Sequence, residues 1–108
     1  MGATKTEVFT SQQNQLAQLC KALAHPARIA ILQHLLKVNA CIGNDIVEHV
    51  PLAQPTISRH LRELKSAGLI QGTVEGNATC YCIDPAGWSA AKKEITNILE
   101  AFKGLDCC

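Results

Sequence analysis

Leu52-Ala53-Gln54-Pro55-Thr56-Ile57-Ser58-Arg59-His60-Leu61-Arg62-Glu63-Leu64-Lys65-Ser66-Ala67-Gly68-Leu69-Ile70 is the stretch on which the fold turns. Ile57, Leu61 and Leu64 recur at i, i+4 and i+7, the spacing of one helical face. Pro55 suits a first helical turn, and Gly68 suits a C-cap. Together they predict a helix over 54–67. Thr56, Ser58, Arg59, His60, Arg62 and Glu63 are read as lying off the apolar stripe. Arg59, Arg62 and Lys65 stand against Glu63 alone, so this helix is basic within a chain of net charge +1.

The neighbours of that helix give it a context. Before it, Pro51 to Ala53 reads as a tight turn, and a short helix over 44–50 carries Ile46, Val47 and Val50. Asp45 and Glu48 have capping-box spacing there. After it the period changes from 3.6 to 2. Residues 69–74 and 79–83 alternate around the turn Glu75-Gly76-Asn77, which predicts a β-hairpin. Helix, tight turn, helix and hairpin form a winged helix-turn-helix. The second helix of such a unit enters the major groove by its N-terminal residues. Gln54, Thr56, Ser58, Arg59, His60 and Arg62 are therefore the candidate DNA contacts.

Further out, helices are expected over 10–24, 26–37 and 86–103. Leu16, Leu19 and Leu23 stripe the first, and Thr10 or Ser11 can cap it. Ile29, Leu32 and Leu36 are expected to face inward from the second. Trp88, Ala91, Ile95, Ile98, Leu99 and Phe102 stripe the last, which Pro85 opens. The fold class is thus mainly α with a β-hairpin wing. The division is a loose N-terminal arm over 1–9, a winged helix-turn-helix domain over 10–103 and a Cys-bearing tail over 104–108. The first and last helices carry more apolar surface than so small a core needs, which points to a dimer seam.

The totals narrow the class. A chain of 108 residues is one domain or half of a dimer, and 47% hydrophobic residues allow a modest core. Aromatics are 4%, so that core is aliphatic. Met1 to Gln15 has no apolar signal-peptide region, and no stretch approaches a membrane span. A cytoplasmic location is expected, where thiols stay reduced. Six cysteines then point to metal binding or redox sensing rather than to disulfide staples. Cys20 lies beside Leu16, Leu19 and Leu23 and reads as packing; Cys41 is a loop residue of open role. His25, His34, His49 and His60 are scattered without ligand spacing. No cysteine has a His–Asp or His–Asn setting, and no glycine-rich phosphate loop occurs, so an enzyme is not expected.

Ala22-Leu23-Ala24-His25-Pro26-Ala27-Arg28-Ile29-Ala30-Ile31-Leu32 resembles the "ALA-D/H-P-x-R-L-x-I-L" stretch of ArsR/SmtB-family repressors. The stretch from Leu52 to Ile70 resembles their "LSQPTVSRHLKxLxxAGLV". The likeness covers about residues 15–84. It implies a homodimeric bacterial repressor on a palindromic double-stranded operator, released by an inducer. Two departures stand out. Ala53 replaces the usual serine cap, and the wing, Gly72 to Ala78, has no Lys or Arg. Shallow salt dependence follows from the second.

Arsenic-sensing members of that family typically carry Cys-x-Cys before an Asp. Aligning Asp45 puts Ile42 and Asn44 at those positions, with Cys41 one residue earlier. Others hold zinc on the last helix, but 86–103 has no His. An inducer site must use other residues, and the late cysteines are the candidates. Cys80 and Cys82 share one strand face, with Tyr81 and Ile83 toward the core. Cys107 and Cys108 end the chain, on a tail able to reach a wing base. The favoured ligands are Cys82, Cys107 and Cys108, with Cys80 as alternate. Thiolates without nearby hard ligands suit As(III), methylarsenite or Sb(III). Thiol oxidation, sensing oxidants or sulfur species, is the alternative signal. A protein-interaction module on the same fold is the remaining reading.

Overall fold

The computed structural model describes residues 6–38, 43, 46, 49–75 and 78–105. In chain order it contains α1 (Ser11–Leu23), α2 (Pro26–Val38), α3 (Gln54–Ser66), β1 (Ile70–Glu75), β2 (Ala78–Ile83) and α4 (Pro85–Glu100). A single 3-10 turn, Thr6–Val8, precedes them within the expected arm.

Each boundary has a local cause. Thr10 accepts from the backbone N–H of Gln13, while the Gln13 side chain accepts from the backbone N–H of Thr10, closing a capping box on α1. Gly68 ends the turn after α3 at φ +83°, in the left-handed region that glycine enters at little cost. Asp84 caps α4 by accepting from the N–H groups of Ala86 and Gly87 at 3.1 and 3.2 Å. Ala53, at the N-cap of α3, offers no side-chain oxygen, as its identity requires.

β1 and β2 pair antiparallel, with Ile70 opposite Ile83, Gly72 opposite Tyr81 and Thr73 opposite Cys80. The core is aliphatic: Leu19 from α1, Ile31, Leu32 and Leu35 from α2, Ile57, Leu61 and Leu64 from α3, and Leu69 and Ile70 at the root of the wing. Ile46 and Val50 join it from the segment before α3. The amides of His49 and Val50 donate to the Ile46 carbonyl at 3.0 and 3.1 Å. The rest of the short helix expected over 44–50 falls outside the described residues.

Two inward assignments change. Ile29 and Leu36, expected to face the core, are exposed, and Ile31 and Leu35 take their place. Cys20, expected to pack, is exposed on α1. At the far end of α4 the apolar stripe runs off the core. Ile98, Leu99, Phe102 and Leu105 are 58–70% exposed, and Val8 and Phe9 are exposed near the start of the chain.

Candidate nucleic-acid interface and thiol site

α3 is strongly two-faced. Ile57, Leu61 and Leu64 lock one side into the core and set the helix rotation. That rotation leaves Gln54, Arg59 and Arg62 exposed and Thr56 and Ser58 half-exposed. Gln54 donates through Nε2 to the Ser58 hydroxyl at 3.2 Å, so two candidate contacts from adjacent turns are already joined. From its first residue to Arg62 the helix presents hydroxyls, an amide and two guanidiniums away from the core. That surface can donate to phosphates and to the acceptors of guanine.

His60 does not belong to that surface. It is 4% exposed, with Nδ1 accepting from Arg28 Nε at 3.1 Å. Its ring lies 4.3 Å from that of His25, tilted by 55°. His60, expected among the DNA contacts, is three residues after Ile57 and so lies on the buried face. Burial lowers the tendency of His60 to protonate, and His25, Arg28 and Arg59 add to the effect, against a smaller opposing pull from Glu63.

The histidines that look scattered in the sequence pair off in space. Besides His25 with His60, His34 and His49 stack at 4.1 Å and 25°. His34 Nε2 is buried with no hydrogen-bond partner. No group of three or more His, Cys, Asp or Glu gathers among the described residues.

Of the late cysteines, Cys80 and Cys82 lie on β2, both partly exposed. Tyr81 and Ile83 pack against the core, so the strand alternation puts the two thiols on the opposite face. Cys80 faces Thr73 across the hairpin and Cys82 faces Gln71. Cys107 and Cys108 lie outside the described residues, as do Cys41 and the wing tip at 76–77. After α4 the chain turns at Gly104, where φ is +123°. No helix among the described residues is long and apolar enough to cross a membrane.

Residues 25–71 match the model of the bacterial regulatory protein family described as arsR. The chain is 31% identical over 90 residues to the HTH-type transcriptional regulator CmtR of Mycobacterium bovis, which covers 83% of this chain and 75% of CmtR. It is 38% identical over 64 residues to the HTH-type transcriptional repressor SmtB of Mycobacterium tuberculosis, covering 59% of this chain. The matched stretch spans only about half, 47%, of that SmtB. In three dimensions the chain is similar to the homodimeric winged helix-turn-helix DNA-binding domain Mb0332 of Mycobacterium bovis. The TM-score is 0.63 at 24% identity, over 96% of this chain and 97% of that one.

Proposed function

From the premise that this chain belongs to the arsR family of bacterial regulatory proteins, we propose that it is a homodimeric DNA-binding repressor released from its operator by trivalent arsenicals or antimonite held on cysteine thiolates. The observation that carries the DNA half is the rotation of α3. Its buried Ile57–Leu61–Leu64 stripe fixes Gln54, Arg59 and Arg62 outward, at the start and middle of the second helix of a helix-turn-helix. Related regulators named as repressors support the same reading. The exposed apolar ends, Val8 and Phe9 with Ile98, Leu99 and Phe102, are the surface a second copy covers. Two recognition helices on a two-fold axis then meet half-sites about one DNA turn apart.

The inducer half is supported by the two partly exposed thiols on one face of β2 and by the two cysteines that the sequence places in the tail. α4 begins directly after β2 and runs for 16 residues, carrying the chain about 24 Å from the root of the wing. A tail returning to Cys82 of its own subunit must span that length almost fully extended. The tail of the same chain or that of a second copy supplies the remaining thiolates. Three thiolates suit the pyramidal, sulfur-seeking trivalent ions. Closure of the tail onto the wing root stiffens the dimer in a geometry that misfits the operator. A coupling of about 1–3 kcal/mol gives useful derepression.

The test is a titration of the fully reduced protein, bound to labelled duplex from upstream of its own gene, with arsenite, methylarsenite, antimonite and zinc. Release by the trivalent ions at stoichiometric concentration, and not by zinc, is the expected result. Release only after mild peroxide, with loss of two mass units, would favour the thiol-oxidation signal instead.

A further inference from the structure

Arg28 ties three helices together beneath the recognition helix. Its Nε donates to His60 Nδ1 at 3.1 Å, and its Nη1 donates to the carbonyls of Lys21 and Ala22 at 3.4 and 3.2 Å. The end of α1, the start of α2 and the middle of α3 therefore share one guanidinium. A guanidinium is always a donor, so His60 Nδ1 holds a lone pair and the proton of the neutral ring sits on Nε2. His25 lies 4.3 Å away, centroid to centroid, on the segment that leads into α2. Its own Nδ1 accepts from the Ala27 N–H at 3.1 Å.

We propose that this cluster is a proton-operated latch: a proton taken up at His60 Nδ1 breaks the bond from Arg28, loosens α3, and releases DNA without any thiophile. The latch rests on the reading of α3 as the DNA-contacting helix. The step is a simple protonation. The proton comes from water, occupies the lone pair that Arg28 Nε–H was using, and leaves two cations facing each other at hydrogen-bond distance. His60 is 4% exposed, so the new charge is not relieved by solvent.

The charged groups around His60 favour expulsion over accommodation. His25 faces it from the segment before α2, Arg28 from the start of α2, and Arg59 and Glu63 from its own helix. Lys21 of α1 and Glu94 of α4 border the neighbouring cleft that Arg28 and Glu63 also line. Glu63 is the acid that acts on His60, and it is itself exposed. An exposed carboxylate is a weak counterion for a buried imidazolium. His60 is thus held toward its neutral form, and the bond from Arg28 is poised against acid.

The sign of the effect separates this device from ordinary electrostatics. Exposed histidines that gain charge in acid tighten DNA binding; the latch weakens it. Fluorescence anisotropy with labelled upstream duplex, at fixed ionic strength, should show affinity falling about tenfold between about pH 7.5 and about pH 5. In His60→Asn, whose Oδ1 can accept from Arg28 but does not titrate, the ratio of the two affinities should be near one, whatever their absolute values. NMR of the unbound protein should show the α3 amides from Ile57 to Leu64 shifting with the midpoint of the His60 imidazole. Equal or tighter wild-type binding in acid overturns the latch, and so does a His60 titration that leaves the α3 amides still. Absence of binding at about pH 7.5 would instead strike the DNA-reading assignment, and the release with it. The NMR titration decides the movement of α3 in either case, including where the Asn variant fails to fold.

Discussion

Gly87, in the first turn of α4, packs directly on the backbone of Gly68, the left-handed residue that ends the recognition-helix unit. A Cβ built on Gly87 would collide with the Gly68 carbonyl oxygen and lie 2.8 Å from its carbon. The contact is backbone against backbone, so no flexible side chain is available to yield.

Gly87→Ala tests this contact. Alanine improves intrinsic helix propensity by about 1 kcal/mol, yet here the methyl forces α4 off the wing root. Overpacking of this kind costs about 1–3 kcal/mol, so the variant should melt several degrees lower. A melting temperature equal to or above that of the parent would refute the close approach.

The N-terminus of α3 offers a gain. Ala53 adopts N-cap geometry, φ −66° and ψ 148°, without a side chain to accept from the first turn. Ala53→Ser should add about 0.5–2 kcal/mol of stability by supplying that oxygen. Urea denaturation measures it, and an unchanged midpoint would show that the cap position is misassigned.

Stability should also depend on pH through His60. Burial, with His25, Arg28 and Arg59, holds its protonation below the ordinary histidine range. In the unfolded chain it takes up a proton from about pH 6.5 downward. Between the two values the unfolded state binds more protons, so the folded state loses ground as pH falls. The contribution is fully present above about pH 6.5 and is lost as pH drops through the lowered folded value. Wild type should therefore lose more stability than His60→Asn between about pH 7 and about pH 5 in parallel denaturation series. Parallel losses in the two proteins would contradict it.

What the sequence revealed, and what it hid, follows from the same geometry. The stripe Ile57, Leu61, Leu64 stands out because polar residues surround it, and it located α3 within a residue. The chemistry of His60 suits DNA and points it outward, but its three-residue spacing from Ile57 puts it on the buried side. α2 is apolar nearly all round, with Ile29, Ala30, Ile31, Leu32, Leu35 and Leu36. Periodicity does not single out its inner face, and Ile31 and Leu35, not Ile29 and Leu36, are buried. The pairing of His25 with His60 and of His34 with His49 spans 35 and 15 residues, a separation that only tertiary structure closes.

The apolar end of α4 gives a prediction on assembly. Leu99 is 70% exposed and Phe102 66%. A charge at either position should leave the fold of one chain intact while preventing association. Leu99→Asp should sediment as a monomer at micromolar concentration and lose most of its operator affinity. A dimer of undiminished strength would move the seam elsewhere.

On the function proposed above, sulfurs of the wing root and of the chain's end close on a thiophile and so break the hold on DNA. The most direct test is arsenite-driven release of labelled operator from wild type, from Cys82→Ser and from the double variant Cys107→Ser, Cys108→Ser, all reduced. All three should bind the duplex comparably, and wild type alone should let go at stoichiometric arsenite. Undiminished release from the double variant would contradict the account.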